Sequence, residues 1–156
     1  MSSETNVSDA SVVLSRVIKA PVDKVYQAWT DPEQMRLWLS PNVRWKTPII
    51  ESDPKAGGVH SITMRHSDGD KMQITGRYVE ATPNSKISFT WQSGDGLMTE
   101  ESLVTVELRE VPEGTEITLT HDRLQDQNTK DQVSGGWSGC MDMLEAFFDG
   151  HTLNDD

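Results

Sequence analysis

Four histidines, five tryptophans, seven methionines and a single cysteine are the side chains that could carry chemistry in this chain. His60 and His66 share a strand parity. Six residues of extended chain hold them roughly 20 Å apart, too far for one metal ion, so no metal site is expected. His121 ends a predicted strand on the side shared by Ile117 and Leu119. Its imidazole is read either as a hydrogen-bonding or proton-transfer group at a cavity mouth, or as a group that caps a loop or satisfies a backbone carbonyl. Cys140 falls on an apolar helical stripe with no histidine at helical spacing to activate it, which reads as core. The acid pairs Glu100 and Glu101, Asp122 and Asp126, and Asp155 and Asp156 read as solvated charge; Glu100 and Glu101, as strand neighbours, face opposite ways and cannot both enter a pocket. Gly57-Gly58 matches no phosphate-binding loop and reads as a turn. No catalytic set, metal or cofactor emerges from these residues.

Aromatic and sulfur side chains are more informative. Trp29, Trp38, Trp45, Trp91 and Trp137, with Met64, Met72, Met98, Met141 and Met143, offer adaptable surface to an apolar ligand. For Trp29, Met141 and Phe148 the helical spacing already accounts for burial against a sheet. Trp91 and Trp137 stand apart because each brings an indole N–H that needs a partner in a dry interior. The set expected to line a ligand cavity is Met64, Tyr78, Trp91, His121, Trp137 and Met141.

These residues need elements to position them. Val12 to Lys19 is rich in β-branched residues and reads as a first strand. Pro21 is read as the first position of a helix carrying Val22, Val25, Tyr26 and Trp29 on one face. Asp31-Pro32-Glu33-Gln34 supplies an N-cap, a first-position proline and a capping-box partner for a second short helix through Trp38, ended by Pro41. Six strands follow, near Trp45 to Glu51, Val59 to His66, Met72 to Glu80, Lys86 to Gln92, Ser102 to Arg109 and Thr115 to His121. The turns between them are rich in Gly, Pro, Asn and Asp, including Gly94-Asp95-Gly96. Thr129 and Gln132 form a capping box for a long last helix, whose stripe of Val133, Gly136, Trp137, Cys140, Met141, Leu144, Phe147 and Phe148 ends at Gly150. This order predicts an α+β fold: a curved antiparallel sheet of about seven strands wrapped round a long C-terminal helix, with two short helices after the first strand.

The length of 156 residues fits one domain, placed at 11–151, after a polar lead-in (1–10) read as disordered and before an acidic tail (152–156). Twenty-five acidic against 14 basic residues give a net charge of −11, which repels nucleic-acid phosphates and anionic lipid. No apolar run reaches the 18 residues of a membrane span, and one cysteine excludes an internal disulfide framework. A cytoplasmic protein is expected, with neither nucleic acid nor membrane as partner. A homodimer stays open, supported by no particular residue.

Ala20-Pro21 with Val25 and Trp29, Asp31-Pro32-Glu33 with Trp38, Gly57-Gly58, Asp68-Gly69, Gly76-x-Tyr78, Phe89-x-Trp91, Gly114-Thr115 with Thr118, Thr120 and His121, and Gly136-Trp137 occur in a characteristic order. In them the sequence resembles the START-like, helix-grip superfamily (SRPBCC), and within it the AHSA-type single-domain proteins, named for activation of a heat-shock-protein ATPase. The resemblance implies a cavity between sheet and long helix that takes a small apolar or amphipathic molecule. Some members of the superfamily are polyketide cyclases or aromatases, so an enzyme of that or a hydrolase kind, with His121 and Tyr78 transferring protons, is the alternative. A chaperone-associated or other protein-interaction role is a further one. The ten residues before the first strand lack the Asn- and Trp-rich segment associated with co-chaperone action, so a chaperone partner is not expected.

Overall fold

Alternating β-branched and aromatic residues build the sheet, in which every strand pairs antiparallel. The structure, a computed structural model, describes residues 11–40, 44–93, 101–124 and 127–149. The strands are β1 (Val12–Ile18), β2 (Trp45–Ser52), β3 (Val59–His66), β4 (Lys71–Thr82), β5 (Lys86–Ser93), β6 (Ser102–Val111) and β7 (Gly114–Asp122). Their order across the sheet is β1-β7-β6-β5-β4-β3-β2, so β2 to β7 form a meander and β1 joins its last strand, with Val12 opposite His121 and Ile18 opposite Thr115. On β7, Thr115, Ile117, Leu119 and His121 are buried while the residues between them are partly exposed, the period-two pattern of a sheet with one dry face.

Two irregularities bend the sheet, between Lys46 and Ile49 on β2 and between Tyr78 and Glu80 on β4. Near the second, Gly76 lies so close to β5 that a Cβ would sit 1.9 Å from the Thr90 carbonyl oxygen, an approach only glycine allows. At the β6–β7 turn Gly114 has φ +145°, and a Cβ there would meet the Ile18 carbonyl oxygen at 2.2 Å, so the end of β1 seats directly on that turn.

Three helices complete the described residues: α1 (Val22–Thr30), α2 (Pro32–Trp38) and α3 (Gln127–Phe148). Pro21 is the N-cap of α1, one residue earlier than its expected first helical position, and its carbonyl accepts from Lys24 and Val25 N–H. Asp31 caps α2 as expected, accepting from Glu33 N–H at 3.0 Å. The reciprocal half of the capping box is absent. Asp31 N–H already donates to Gln27 O at the end of α1, and the Gln34 amide turns to the Asp31 carboxylate instead. A second expected capping box also fails, because α3 starts at Gln127 and Thr129 therefore lies within its first turn, buried. The expected stop signals Pro41 and Gly150, the turn Gly94-Asp95-Gly96 and the acidic tail lie outside the described residues.

Twenty-two residues give α3 a length of about 33 Å, enough to span the sheet. It packs against β1 and α2 and buries Val133, Trp137, Cys140, Met141 and Leu144. Phe147 and Phe148, expected on the same stripe, are half-buried at its end. The rim of the α3–β1 contact is held by Arg16, whose guanidinium reaches Asp142 at 3.0 Å and Glu145 at 2.8 Å. Arg16→Met should cost about 0.5–1 kcal/mol at low salt. Urea denaturation should show that difference shrinking at about 1 M NaCl, where the Debye length falls to about 3 Å; a difference independent of salt would refute the electrostatic account.

Candidate functional site

Between the inner face of the sheet and α3 the aromatic side chains form one connected cluster. His60, on β3, stacks on Phe89 of β5 at 3.9 Å with the planes 13° apart. Tyr78 on β4 meets His60 edge-on at 5.2 Å. Phe89 leads to Trp91 at 6.2 Å, Trp91 to Trp137 of α3 at 5.0 Å, Trp137 to Trp29 of α1 at 6.0 Å, and Trp29 to Trp38 of α2 at 4.7 Å. Strand parity on β3 to β5 and helical spacing on α1 and α3 turn these side chains inward, so with Trp38 of α2 six elements share one interior.

A directed hydrogen-bond chain runs through the cluster. The Trp137 indole donates to His121 Nδ1 at 3.0 Å. An indole nitrogen can only donate, so Nδ1 is the unprotonated nitrogen and the proton of the neutral ring lies on Nε2. Nε2 is 2.7 Å from Ser102 Oγ, and Ser102 in turn donates to the Trp91 carbonyl at 2.8 Å. Each group is thereby satisfied in one direction, from Trp137 through His121 and Ser102 to Trp91.

That direction bears on the chemistry available. A serine nucleophile needs an adjacent histidine whose nearer nitrogen has a free lone pair, usually set by an acceptor at the far nitrogen. Here Trp137 supplies a donor, the tautomer is reversed, and Ser102 accepts a hydrogen bond from Nε2–H instead of having its own proton drawn off. His121 is 0 % exposed, inside the protein and not at a mouth, and burial lowers its pKa to about 4. Burial also raises the Tyr78 hydroxyl to about 12; it lies 2.7 Å from Ser52 Oγ, which donates to Thr30 O at 2.8 Å. Both expected proton-transfer groups are thus committed to structural hydrogen bonds. Cys140 is buried, with its thiol pushed up to about 12 by desolvation, which leaves it no thiolate at neutral pH.

The structure brings Trp91, His121 and Trp137 into direct contact and joins Tyr78 to them through His60 and Phe89. Met64 and Met141 are buried in the same core. Met72, cross-strand from Met64, is exposed, and Met98 and His151 lie outside the described residues, as do Glu100, Asp126 and the Asp155–Asp156 pair. Glu101 reaches Arg123 at 3.9 Å on the surface. His66 pairs with Asp68 at 2.9 Å and meets Trp45 edge-on, away from His60. Among the described residues no group of three or more His, Cys, Asp or Glu is placed to hold a metal ion. None of their helices is long and apolar enough to cross a membrane.

Sequence reasoning passed over four members of the cluster: Ser102, Phe89, Trp29 and His60. The signal for the first two was present, since Ser102 shares parity with Val104 and Val106, and Phe89 with Trp91. His60 reads from the sequence only as a candidate metal ligand, and Trp29 as one of the aromatics open to an apolar ligand whose helical spacing packing already explains. Both side chains are buried, and Trp29 Nε1 and His60 Nδ1 have no hydrogen-bond partner. Burial holds the His60 pKa down at about 4. A separate, open depression that includes Lys86, Glu107, Arg109 and Glu116 lies on the outer side and contains none of the candidates.

Solved structures share this architecture. A protein of Chromobacterium violaceum superposes with a TM-score of 0.81 at 24 % identity, over 94 % of this chain and 99 % of its own. The AHSA1 protein of Silicibacter pomeroyi gives 0.81 at 20 % identity, over 90 % and 98 %. An AHSA1-like protein of Aeromonas hydrophila gives 0.74 at 23 % identity, over 89 % and 92 %. At these identities the likeness establishes the helix-grip fold alone. No curated protein matches the chain. The family model described as Activator of Hsp90 ATPase homolog 1-like protein matches residues 19–149, from the residue after β1 to the end of α3. With the match covering six of the sheet's seven strands and the helix it grips, the chain belongs to the Activator of Hsp90 ATPase homolog 1-like family.

Proposed function

We propose that this protein binds a small apolar or amphipathic molecule between the sheet and α3, without turning it over. The observation that carries this reading is the unbroken aromatic interior from Tyr78 and His60 to Trp38, flanked by Met64 and Met141. Aromatic faces and thioethers take up apolar molecules of varied shape, and an interior of this kind in a helix-grip fold suits a guest more than a reaction. The single buried Cys140 fits a cytoplasmic setting.

Native mass spectrometry of freshly purified protein, compared with its denatured mass, tests the reading. A reproducible added mass that disappears on denaturation is expected. Met141→Trp, which fills the interior next to Trp137, should abolish the added mass while leaving the fold intact by circular dichroism. Bare protein in the native spectrum, or an added mass that Met141→Trp leaves untouched, would count against the placement.

A further inference from the structure

Within the aromatic cluster four polar groups have partners. Trp38 donates to Ala28 O at 2.8 Å, Trp137 to His121, His121 bonds Ser102, and Tyr78 bonds Ser52. Two groups in the same cluster do not: Trp29 Nε1 and His60 Nδ1. Proteins leave few buried polar atoms unpaired, and here the two occur at either end of one ring path, His60 to Trp91 to Trp137 to Trp29. Such atoms call for something from outside the chain to complete them.

The chemistry of that guest follows from its surroundings. Trp29 Nε1 can only donate, so the atom facing it must accept. Among the described residues, the buried polar side chains are Ser, Thr and His alone; no Asp, Glu, Lys or Arg is buried. Arg16, the cation on the inner side of β1, is already engaged by Asp142 and Glu145. A carboxylate, phosphate or ammonium group would therefore enter the interior with no countercharge, at a large desolvation cost.

Resting on the binding reading above, we propose that the guest is an uncharged, largely apolar molecule bearing neutral oxygen functions, one of which accepts from Trp29 Nε1–H while a hydroxyl or carbonyl completes His60. Trp29 and His60 are then the residues that set specificity, and Trp91, Trp137 and Met141 supply unselective apolar surface. The interior rejects fatty-acid anions and amines of similar size and accepts alcohols, phenols and ketones.

Naphthalene, naphthol and naphthoate test this with one ring system carrying no polar group, a neutral hydroxyl and an anion. Each is titrated into the isotope-labelled full chain and followed at the tryptophan indole N–H resonances. Naphthol is expected to bind about tenfold more tightly than naphthalene, the equivalent of one net hydrogen bond, with naphthoate weaker than both and the Trp29 indole resonance shifting downfield. Trp29→Phe keeps a ring and should bring naphthol, whose one hydroxyl faces the Trp29 indole, down towards naphthalene while leaving naphthalene unchanged; His60→Phe, at the other end of the ring path, should leave both unchanged. Equal binding of naphthol and naphthalene, or naphthoate binding as well as naphthol, overturns the specificity while the pocket stands. No binding by any of the three, with water contacts at the Trp29 indole N–H, overturns the pocket as well and assigns both atoms to buried water. Should either variant lose its dispersed spectrum, discrimination by the native protein decides alone.

Discussion

Acidification from pH 7 to pH 4 is expected to remove a large share of the protein's stability, because two histidines are folded into the interior in neutral form. His60 and His121 titrate near 6.5 when unfolded and near 4 in the fold, with burial as the largest cause for each. Between those values the unfolded chain binds up to two more protons than the native one, so unfolding takes up protons and stability falls as pH falls. The stabilising contribution is fully present above about pH 6.5 and declines by about 1.4 kcal/mol per pH unit per histidine, approaching about 3 kcal/mol each near pH 4. Together that is a large share of the roughly 5–15 kcal/mol that holds a domain folded. Geometry reinforces the trend at His121, where a proton on Nδ1 would face the Trp137 N–H at 3.0 Å. Urea denaturation at a series of pH values measures it. His60→Phe should roughly halve the dependence, and a stability unchanged between pH 7 and pH 5 would contradict the neutral-histidine account.

Trp137→Ala should be the most damaging single substitution on α3, costing about 3–5 kcal/mol. It empties the centre of the ring cluster between Trp91 and Trp29 and strips His121 Nδ1 of its donor at once. At about 2–4 °C per kcal/mol for a chain of this size, the melting temperature should drop by roughly 6–20 °C. Trp137→Phe separates the two losses, since it keeps a ring and removes only the N–H; about 1–2 kcal/mol is expected. Nitrogen chemical shifts of the His121 ring provide the second readout. With the indole gone, the fixed preference for Nε2–H should give way to a mixture of tautomers. A Phe variant that melts with the native protein and keeps the Nε2–H form would show that the indole does not set the tautomer.

The fold was legible because its signals are local. β-branched runs, turn residues and the stripe on α3 each report on a few neighbours, and together they specify seven strands and three helices. Caps were read less well where one residue serves two masters: Asp31 N–H completes α1, so it cannot also take part in a capping box for α2. The site was legible in part. Parity placed Trp91 and His121 on the dry face, and helical spacing placed Trp137 opposite them. What the sequence does not encode locally is which atoms meet. The tautomer of His121 depends on Trp137, sixteen residues away on another element, and the isolation of His60 Nδ1 depends on what Phe89 and Tyr78 cover. Histidine on an inward parity therefore announces a buried imidazole, and only the fold tells whether it is completed.

β1 closes the sheet against the last strand, with Val12 facing His121 roughly a hundred residues further along the chain. During synthesis at about 5–20 residues per second, β1 must wait about 5 to 20 seconds after leaving the ribosome before its partner exists. Meanwhile β2 to β6 can zip together through short turns, so the meander is the early product and closure by β1 and α3 the late one. Closure also bears most of the loop entropy, placing the domain among slow, high-contact-order folders. Until it occurs, β7 presents an unpaired edge with Ile117 and Leu119 along it, and the nascent chain is most prone to aggregation in that interval.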